Sequence, residues 1–306
     1  MIKHKTVLIL GAGASLPYKF LTTEGLRKRI LQFAKIINVR EANELGIELN
    51  HALEFHEAFQ YSGTYSIDEF LGKRKEYTEV GKLLIAKSLL AYENINDLFS
   101  LESSKDWYKY LVQSLTEGVP LEDLNALNTI TIVTFNYDRS LEQYLFLALK
   151  NQYGAKDDEV AKNLSKIEII HIHGQLGYLP WQLSQDSSLK VDYINGIAPE
   201  RVIKAARGLK IIYETNNNSP ELERAISSIG NAERVFFLGF GYHPLNLKRL
   251  RLSGIKGGRL VLGTAFEMGS IQIEKAIVDS NFTLHKHELY QDCDIIKFFK
   301  EKVSLV

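Results

Sequence analysis

Three polar clusters, each placed directly after a predicted strand, carry the chemistry of this sequence. They are residues 11–15 (Gly-Ala-Gly-Ala-Ser), residues 134–138 (Thr-Phe-Asn-Tyr-Asp) and residues 171–174 (His-Ile-His-Gly). In an open α/β sheet, the ligand crevice forms beyond the carboxyl ends of the strands. Clusters that are far apart in the sequence are therefore predicted to meet in one crevice, where amide, carboxylate and imidazole groups could act on a ligand.

The first cluster places two glycines, Gly11 and Gly13, in a predicted strand-to-helix turn. Such a turn lets backbone amides approach a phosphate at the N-terminus of a helix. Leu16 occupies the place of the third glycine of the dinucleotide-binding fingerprint, and the acidic residue that this fingerprint requires about twenty residues later is missing. By itself, the loop fits a simple tight turn as well as a phosphate site.

The second cluster alternates polar side chains at the end of a β-branched run. Thr134, Asn136 and Asp138 are two residues apart, so their side chains share one face of the extended chain. Three polar residues directly after residues 130–133 favour a functional site over packing. The alternative for Asp138 is an Asx turn that leads into a helix at Ser140.

The third cluster contains a His-x-His pair, which at a strand end can bind a metal ion. No carboxylate-rich motif follows His171 and His173, and we predict that the protein has no metal site. Gly174 is expected to open space beside His173, which favours His173 as an accessible general base. His285 and His287 repeat the spacing in a predicted edge strand, where a solvent-facing pair is expected.

A fourth strand end is also rich in glycine. Residues 237–244 read Phe-Leu-Gly-Phe-Gly-Tyr-His-Pro, with Gly239 and Gly241 placed where the backbone could approach a ribose or a phosphate. Tyr242 follows these glycines, and Gly263 ends the next predicted strand. These residues are predicted to complete the binding loops.

The composition is that of an ordinary globular protein, with 306 residues of which 45% are hydrophobic and 24% charged. Lys+Arg and Asp+Glu both number 37, so no overall field attracts nucleic acid or anionic lipid, and direct nucleic-acid binding is not indicated. The single cysteine, Cys293, excludes an intrachain disulfide and a multi-cysteine zinc site. No apolar run reaches the length of a membrane span or forms a signal peptide, so we expect a cytoplasmic protein.

The elements that must hold the clusters alternate as in an α/β fold. Strands are predicted at residues 6–10, 129–135, 167–172, 209–213, 234–240, 259–262 and, as a last edge strand, 282–287. The alternation predicts a Rossmann-like, mostly parallel sheet with helices on both faces. About a hundred residues of helical pattern separate the first two strands, so we expect a mainly helical insertion at about 26–125 within a single domain of residues 1–306. A capping box is predicted at residues 66–69 (Ser-Ile-Asp-Glu).

In their order, these motifs resemble those of the sirtuin superfamily. The family pattern is a Gly-Ala-Gly-small loop, Thr-x-Asn-x-Asp, His-Gly, an aromatic-glycine-glutamate turn, and a strand that ends in Gly-x-small. This chain supplies, in that order, residues 11–15, 134–138, 173–174, 213–214 (Tyr-Glu) and 239–242. The resemblance covers nearly the whole chain, and the ordered combination is more specific than any single motif.

The chain departs from the deacylase sirtuins in three respects. Residues 175–208 hold no cysteine, although the deacylases carry a four-cysteine zinc module after the His-Gly. Residues 16–20 replace their acidic-aromatic-arginine segment, and the helical insertion is larger. In these features the chain looks like the bacterial sirtuin-like effectors of antiphage defence, which hydrolyse NAD⁺. Residues 66–71 (Ser-Ile-Asp-Glu-Phe-Leu) resemble a segment that is common in that branch.

The resemblance implies an NAD⁺ glycohydrolase that needs no metal. Asn136 would orient the water or the ribose, His173 would be the general base, and Asp138 would hold the nicotinamide amide. The residues assigned to NAD⁺ binding are Gly11, Ala12, Gly13, Ser15, Thr134, Asp138, Gly239, Gly241, Tyr242 and Gly263. An enzyme that depletes NAD⁺ must be idle until triggered, so homo-oligomerisation or a partner protein is expected to control it. A HerA-type ATP-driven translocase is the partner that the family implies.

Three other functions stay open at the level of sequence. The chain could be a non-catalytic module that senses NAD⁺ or ADP-ribose, or it could be a protein deacylase or ADP-ribosyltransferase. It could also be a metal-dependent hydrolase or nuclease that uses His171 and His173. The sequence leaves the roles of His171 and His243 open.

Overall fold

The computed structural model of the chain describes residues 2–183, 186–211, 219–252, 259–281, 283–285 and 288–306, with the side chains of residues 125 and 126 left aside. A six-stranded, all-parallel sheet organises them. Its strands are β1 (Thr6–Leu10), β2 (Ile130–Thr134), β3 (Glu168–His171), β4 (Arg234–Leu238), β5 (Leu260–Thr264) and β6 (Leu289–Tyr290). Their order, β3-β2-β1-β4-β5-β6, is that of the Rossmann fold, so the predicted fold class is confirmed.

Helices cover both faces of this sheet. They are α1 (Thr23–Ile36), α2 (Val39–Leu45), α3 (Leu49–Gln60), α4 (Ile67–Lys73), α5 (Thr78–Leu90), α6 (Ile95–Phe99), α7 (Trp107–Thr116), α8 (Ser140–Tyr153), α9 (Asp157–Leu164), α10 (Pro199–Arg207), α11 (Pro220–Asn231), α12 (Pro244–Arg249), α13 (Ser270–Asp279) and α14 (Ile295–Glu301). None of the described helices combines the length and apolarity that crossing a bilayer requires.

The central strand β1 is buried on both sides, as its unbroken apolar sequence predicts. Val7 and Ile9 belong to one hydrophobic cluster, to which α11, α12 and α13 contribute. Leu8 and Leu10 point the other way, into a larger cluster that is built mainly by the helices before and after β2. The two clusters follow the two-residue period of a strand, so one sheet separates two cores.

The ends of the neighbouring strands are level, which fixes where the site can form. Leu10 of β1 pairs with Thr134 of β2 and with Leu238 of β4. Thr134 in turn pairs with His171, the last residue of β3. The segments that follow β1, β2, β3 and β4 therefore start from one edge of the sheet, as the positions of the polar clusters predict.

Seven α-helices, α1–α7, lie between β1 and β2 in the chain, and this segment is called the insertion below. Its last helix, α7, is bonded to the loop after β1, because the indole nitrogen of Trp107 donates to the carbonyl of Ala14 at 2.8 Å. The ring of Tyr108 stacks on that of Tyr18, with the centroids 3.7 Å apart. Both aromatic contacts are buried, so the insertion is packed onto the sheet edge that carries the polar clusters.

Helix α4 begins where the predicted capping box places it. The hydroxyl of Ser66 accepts a hydrogen bond from the amide of Glu69 at 3.1 Å, which satisfies one of the free donors of the first turn. The carboxylate of Glu69 accepts from the amide of Tyr65 at 3.2 Å. In the ideal box, the carboxylate would instead bind the cap residue's own amide.

Two predicted strands are wrong over the residues that the structure describes. At residues 209–213, Leu209 makes only an isolated antiparallel bridge to Gly174, and residues 210 and 211 are not in a strand; residues 212 and 213 lie outside the described residues. The edge strand lies at Leu289–Tyr290, after the predicted 282–287, of which residues 282, 286 and 287 are not described. Local bonds capture the backbone before it, since the amide of His285 donates to the Glu288 carboxylate and the amide of Glu288 to the His285 carbonyl.

A buried ion cluster joins the insertion to the segment after β3. The guanidinium of Arg139 donates to both carboxylate oxygens of Glu93 at 2.7 and 2.8 Å, and both side chains are fully buried. Arg139 also donates to the carbonyl of Val191 at 2.7 Å, and Arg201 binds the same carboxylate at 2.5 Å. Charge pairs of this kind are tolerated in the interior because each charge has a partner and further hydrogen bonds.

We expect Glu93→Ala to destabilise the protein strongly, because it leaves Arg139 and Arg201 without their shared carboxylate. The free energy of unfolding should fall by about 3–5 kcal/mol, measured by chemical denaturation. Asp157→Ala is the matched control, since it removes a 63% exposed partner of Lys150 and should cost at most about 1 kcal/mol. Equal losses in the two variants would contradict the assignment of Glu93 as a buried cross-link.

Candidate active site

The two glycine loops lie back to back at the carboxyl edge of the sheet. The amide of Gly11 donates to the carbonyl of Leu238 at 3.1 Å, and the amide of Gly13 to that of Gly239 at 2.9 Å. A Cβ atom at Gly11 would lie 2.6 Å from the Gly239 oxygen, and a Cβ atom at Gly239 would overlap the backbone of Gly13. The glycines therefore permit close contact between two backbones, and the amide of Gly13 is already used in that contact.

The segment after the first loop corrects the predicted strand-to-helix turn. Residues Ala12–Ala14 and Leu16–Tyr18 form two 3₁₀ turns, and the first α-helix begins at Thr23. The positive end of an α-helix is thus not directly behind Gly11 and Gly13, so a phosphate there would not be held in the way that the sequence suggested.

Asn136 joins the second cluster to the first. Its Nδ2 atom donates to the carbonyl of Gly11 at 2.9 Å and to the hydroxyl of Ser15 at 3.1 Å. Its own amide donates to the hydroxyl of Thr134 at 3.0 Å, which turns the chain at the end of β2. Among the residues that the structure describes, none donates to its Oδ1 atom. The fixed amide therefore keeps an oxygen that can accept from a ligand or a water.

Asp138 forms the Asx turn that was the alternative to a binding role. Its Oδ1 atom accepts from the amide of Ser140 at 3.1 Å and from the Ser140 hydroxyl, at the start of α8. Burial raises the pKa of Asp138, although the hydroxyls of Ser140 and Ser15 act in the opposite direction. The Tyr108 hydroxyl lies 2.7 Å from that of Ser140, so the insertion also supports this loop.

His171 supports Asn136 from below and is itself held by a carboxylate. Its Nδ1 atom lies 3.0 Å from the carbonyl of Asn136, so this nitrogen must be the donor, and its Nε2 atom lies 2.6 Å from Oε1 of Glu142. Burial acts to lower the pKa of His171, but the charge and hydrogen bond of Glu142 outweigh it and raise the pKa above its usual value. Both ring nitrogens are thus engaged. In the described part of the chain, no group of three or more His, Cys, Asp or Glu side chains could hold a metal ion.

His173 is more enclosed than the sequence predicts. Its exposed fraction is 3%, and its ring packs edge-on against that of Phe135 with the centroids 5.5 Å apart. The expected open space beside it is absent, because a side chain at Gly174, where φ is +66°, would overlap the Gly208 carbonyl. Its buried Nδ1 atom has no hydrogen-bond partner among the described residues. Burial, together with the charge of Arg249, lowers the pKa of His173 to about 3.

A cavity of about 80 Å³ lies between the first two clusters and the helical insertion. Its walls come from the loops after β1 and β2 and from α1, α4 and α5. The lining includes Ala12, Phe20, Asp68, Phe135, Asn136, Tyr137 and Asp138. The hydroxyl of Tyr137 donates to the Asp68 carboxylate across this space. Sequence reasoning missed Asp68 as a site residue; the only signal was the similarity of residues 66–71 to a segment found in one sirtuin-like branch.

The remaining predicted ligand contacts are divided between packing and an open surface. Tyr242 is buried with φ of +49°, and its hydroxyl donates to the carbonyl of Thr264 at 3.0 Å. Gly263 leaves room for that hydroxyl, since a side chain there would overlap it. Gly241 is different, because a Cβ atom built on it would meet nothing within 4 Å. Tyr242 and Gly263 therefore pack against each other, whereas Gly241 faces open space.

A larger cavity, of about 620 Å³, lies beside β3. Glu142, His171 and Trp181 are among its lining residues, but Asn136 is not. Of the polar strand ends, only the first two thus line the smaller cavity; His171 lines the larger one, and His173 lines neither.

Comparison with known proteins adds a family similarity to this geometry. Residues 130–253 match the family model of the SIR2-like domain, which is less than half of the chain. No curated protein matches the chain. The strand order defines a Rossmann-like α/β protein. Within it, the SIR2-like stretch contains Asn136, His173 and Gly239.

Several solved structures are also similar to the whole chain. A Sir2 homologue in complex with NAD has 12% identity and a TM-score of 0.41, covering 92% of this chain and 89% of that chain. Sir2Tm bound to a propionylated peptide has 14% identity and a TM-score of 0.39, covering 96% and 90%. A structure on sirtuin substrate affinity has 16% identity and a TM-score of 0.37, covering 96% and 91%. Likenesses at this level add nothing to the argument from strand order.

We expect the two glycines of the fourth strand end to respond very differently to substitution. Gly239→Ala should lower the free energy of unfolding by at least about 3 kcal/mol, because the side chain would overlap Gly13 and Ala14 at a φ of +56°. Gly241→Ala is the control two residues away and should change stability by no more than about 0.5 kcal/mol. Chemical denaturation measures both; a tolerated Gly239→Ala would show that the loops do not need their close contact.

The raised pKa of His171 makes its pairing with Glu142 dependent on pH. Protonated His171 contributes stability that is fully present below the unfolded-state pKa, about 6.5, and is lost as pH rises through the higher folded-state pKa. Glu142→Gln should therefore cost most at about pH 5.5, on the order of 3 kcal/mol, and progressively less towards pH 9. Denaturation across this range is the measurement, with the exposed Glu44→Gln as control. A cost that does not change with pH would refute the ion pair.

Proposed function

We propose that the protein hydrolyses NAD⁺ to nicotinamide and ADP-ribose, as an NAD⁺-depleting effector of antiphage defence. The observation that carries this proposal is the fixed amide of Asn136, bonded to Gly11 and Ser15 in a cavity at the carboxyl edge of the sheet. The similarity of residues 130–253 to the SIR2-like domain supports it, because that stretch supplies both Asn136 and His173.

The reaction needs little acid catalysis. The bond between the anomeric carbon of the ribose and the nicotinamide nitrogen breaks, and its electron pair stays on the ring, which leaves as neutral nicotinamide. The oxygen of a water molecule bonds to the anomeric carbon, and one proton of that water is released. Since positive charge builds up on the ribose in the transition state, positioning and charge stabilisation can supply most of the rate.

Asn136 would act on the attacking water or on a ribose hydroxyl through its Oδ1 atom, because Nδ2 is occupied by Gly11 and Ser15. Asp138, which lines the same cavity, would hold the carboxamide of nicotinamide. Thr134 contributes indirectly, since its hydroxyl fixes the backbone of Asn136. Ala12 lines the cavity and Gly241 faces open space, so both can lie against the ribose and pyrophosphate.

His173 is suited to accept a hydrogen bond from the substrate. With a pKa of about 3, its imidazole is neutral near pH 7, so one ring nitrogen is an acceptor. A buried polar nitrogen without a partner costs about 1–3 kcal/mol, which a ribose hydroxyl or the attacking water would recover. As the predicted general base, His173 would be a weak one at this pKa, so its main part would be to orient that group.

The small size of the cavity is relevant to how the activity of the enzyme would be controlled. Ligand sites commonly measure about 300–1,000 Å³, so the 80 Å³ beside Asn136 fits only the reacting end of a dinucleotide. Helix α4 and the segment at Phe20 would have to move apart to admit the whole substrate. Such closure suits an enzyme that stays idle until homo-oligomerisation or a partner, such as a HerA-type ATP-driven translocase, opens the site.

Asn136→Ala and His173→Ala should each lower NAD⁺ turnover by about 10²–10⁴-fold, because each removes a group that the proposal assigns to the reacting atoms. Chromatography of nicotinamide and ADP-ribose measures this turnover, with and without a HerA-type ATPase. Asn151→Ala, an exposed substitution on α8, is the control and should match the wild type. If both site variants matched the wild type, the assignment would be wrong. If NAD⁺ bound by calorimetry but was never consumed, the sensing module would replace the enzyme.

A further inference from the structure

A carboxylate from the helical insertion shares the cavity with Asn136. Asp68 lies in the first turn of α4, far from the strand ends in sequence, yet it lines the same space as Asn136 and Asp138. The turn is fixed by the cap of Ser66 and by the burial of Ile67 and Phe70 on either side of Asp68. The position of this carboxylate is therefore set by helix packing and does not depend on a loop.

The β2 loop holds Asp68 in place. The hydroxyl of Tyr137, the residue directly after Asn136, donates to Oδ1 of Asp68. The ring of Tyr137 also lies beside the imidazole of His173, with the centroids 6.1 Å apart. One loop thus connects the amide, the carboxylate and the imidazole of this region. The charge of Arg249 acts on both Asp68 and His173, which places these two groups in one electrostatic environment.

The two carboxylates of the cavity differ in how much of their bonding capacity the fold uses. One oxygen of Asp138 already accepts two hydrogen bonds from Ser140 to shape the start of α8. Asp68 is not the cap residue of α4; besides its own backbone amide, it accepts from Tyr137, a side chain of the site itself. Burial raises the pKa of Asp68, while the Tyr137 hydrogen bond and the charge of Arg249 lower it. A half-buried carboxylate of this kind has a stronger electrostatic effect than one in water.

From this geometry we infer that Asp68 is a further catalytic residue, whose carboxylate faces the ribose and stabilises the positive charge that develops there as nicotinamide leaves. The inference rests on the proposed function. It makes α4 part of the active site, since the cationic transition state would lie between Asn136 on the sheet and Asp68 on the insertion. Tyr137 is then a positioning residue that acts through Asp68.

Asp68→Asn tests the role of the charge, because asparagine keeps the shape and can still accept from Tyr137. The kcat for NAD⁺ hydrolysis should fall at least about tenfold and up to about 10³-fold, while KM stays within about threefold. Tyr137→Phe keeps the Asp68 carboxylate but removes its hydrogen bond from Tyr137, so a smaller fall in kcat, about three- to tenfold, is expected. Asp157→Asn and Tyr153→Phe make the same chemical changes at positions where each residue bonds outside the site, and both should match the wild type.

Each outcome has a distinct meaning. A variant that hydrolyses NAD⁺ faster than the wild type would overturn the inference and make the contact between Asp68 and Tyr137 a latch that keeps α4 closed. An unchanged kcat in Asp68→Asn would overturn the inference. So would a fall in kcat that is accompanied by a lower melting temperature and that is absent from Tyr137→Phe, because Asp68 would then be a structural residue. If the wild type consumes no NAD⁺ even with a HerA-type ATPase, the proposed function fails first, and the inference fails with it.

Discussion

The loops that follow β1 and β4 touch backbone to backbone, and the carboxyl edge of the sheet depends on this contact. The Gly13 amide donates to the Gly239 carbonyl, and a side chain at either position would overlap the backbone of the opposite loop. The same contact fixes the carbonyl of Gly11, which accepts from the side chain of Asn136. The glycines thus support the site mainly by permitting two loops to pack closely, and the orientation of the Asn136 amide follows from that packing.

The helical insertion forms part of the site as well as covering the sheet. Trp107 bonds to Ala14 in the first loop, and Tyr108 reaches Ser140, which in turn donates to Asp138. From α4, Asp68 meets the hydroxyl of Tyr137. Hydrogen bonds therefore join the insertion to the loops after β1 and β2, although these elements are distant in sequence. A movement of these helices would change the shape of the cavity and the positions of its polar groups together.

Buried charges hold the segment after β3. Arg139 follows Asp138 directly, and it joins Glu93 of the insertion to the carbonyl of Val191. The pair of His171 and Glu142 lies beneath the backbone of Asn136. Both sets are stable in the interior only because every charge has a partner, so they connect the loop after β2 to its surroundings with little freedom.

The sequence by itself determined the elements whose cause is local. Apolar periodicity located β1 to β5 within a few residues, and Ser66 marked the start of α4, because strand alternation and helix capping act over a few neighbours. It failed at 209–211, where Leu209 makes only an isolated bridge, and at 282–287, where turn bonds around His285 and Glu288 take up the backbone. Asn136 could be named from its motif, but Asp68 could not, since its carboxylate reaches the cavity only through the packing of α4. Tertiary structure also determined the state of His173. The sequence predicted an accessible base, but the fold encloses the imidazole and burial lowers its pKa to about 3. Burial depends on the packing of the whole fold, so local sequence does not reveal it.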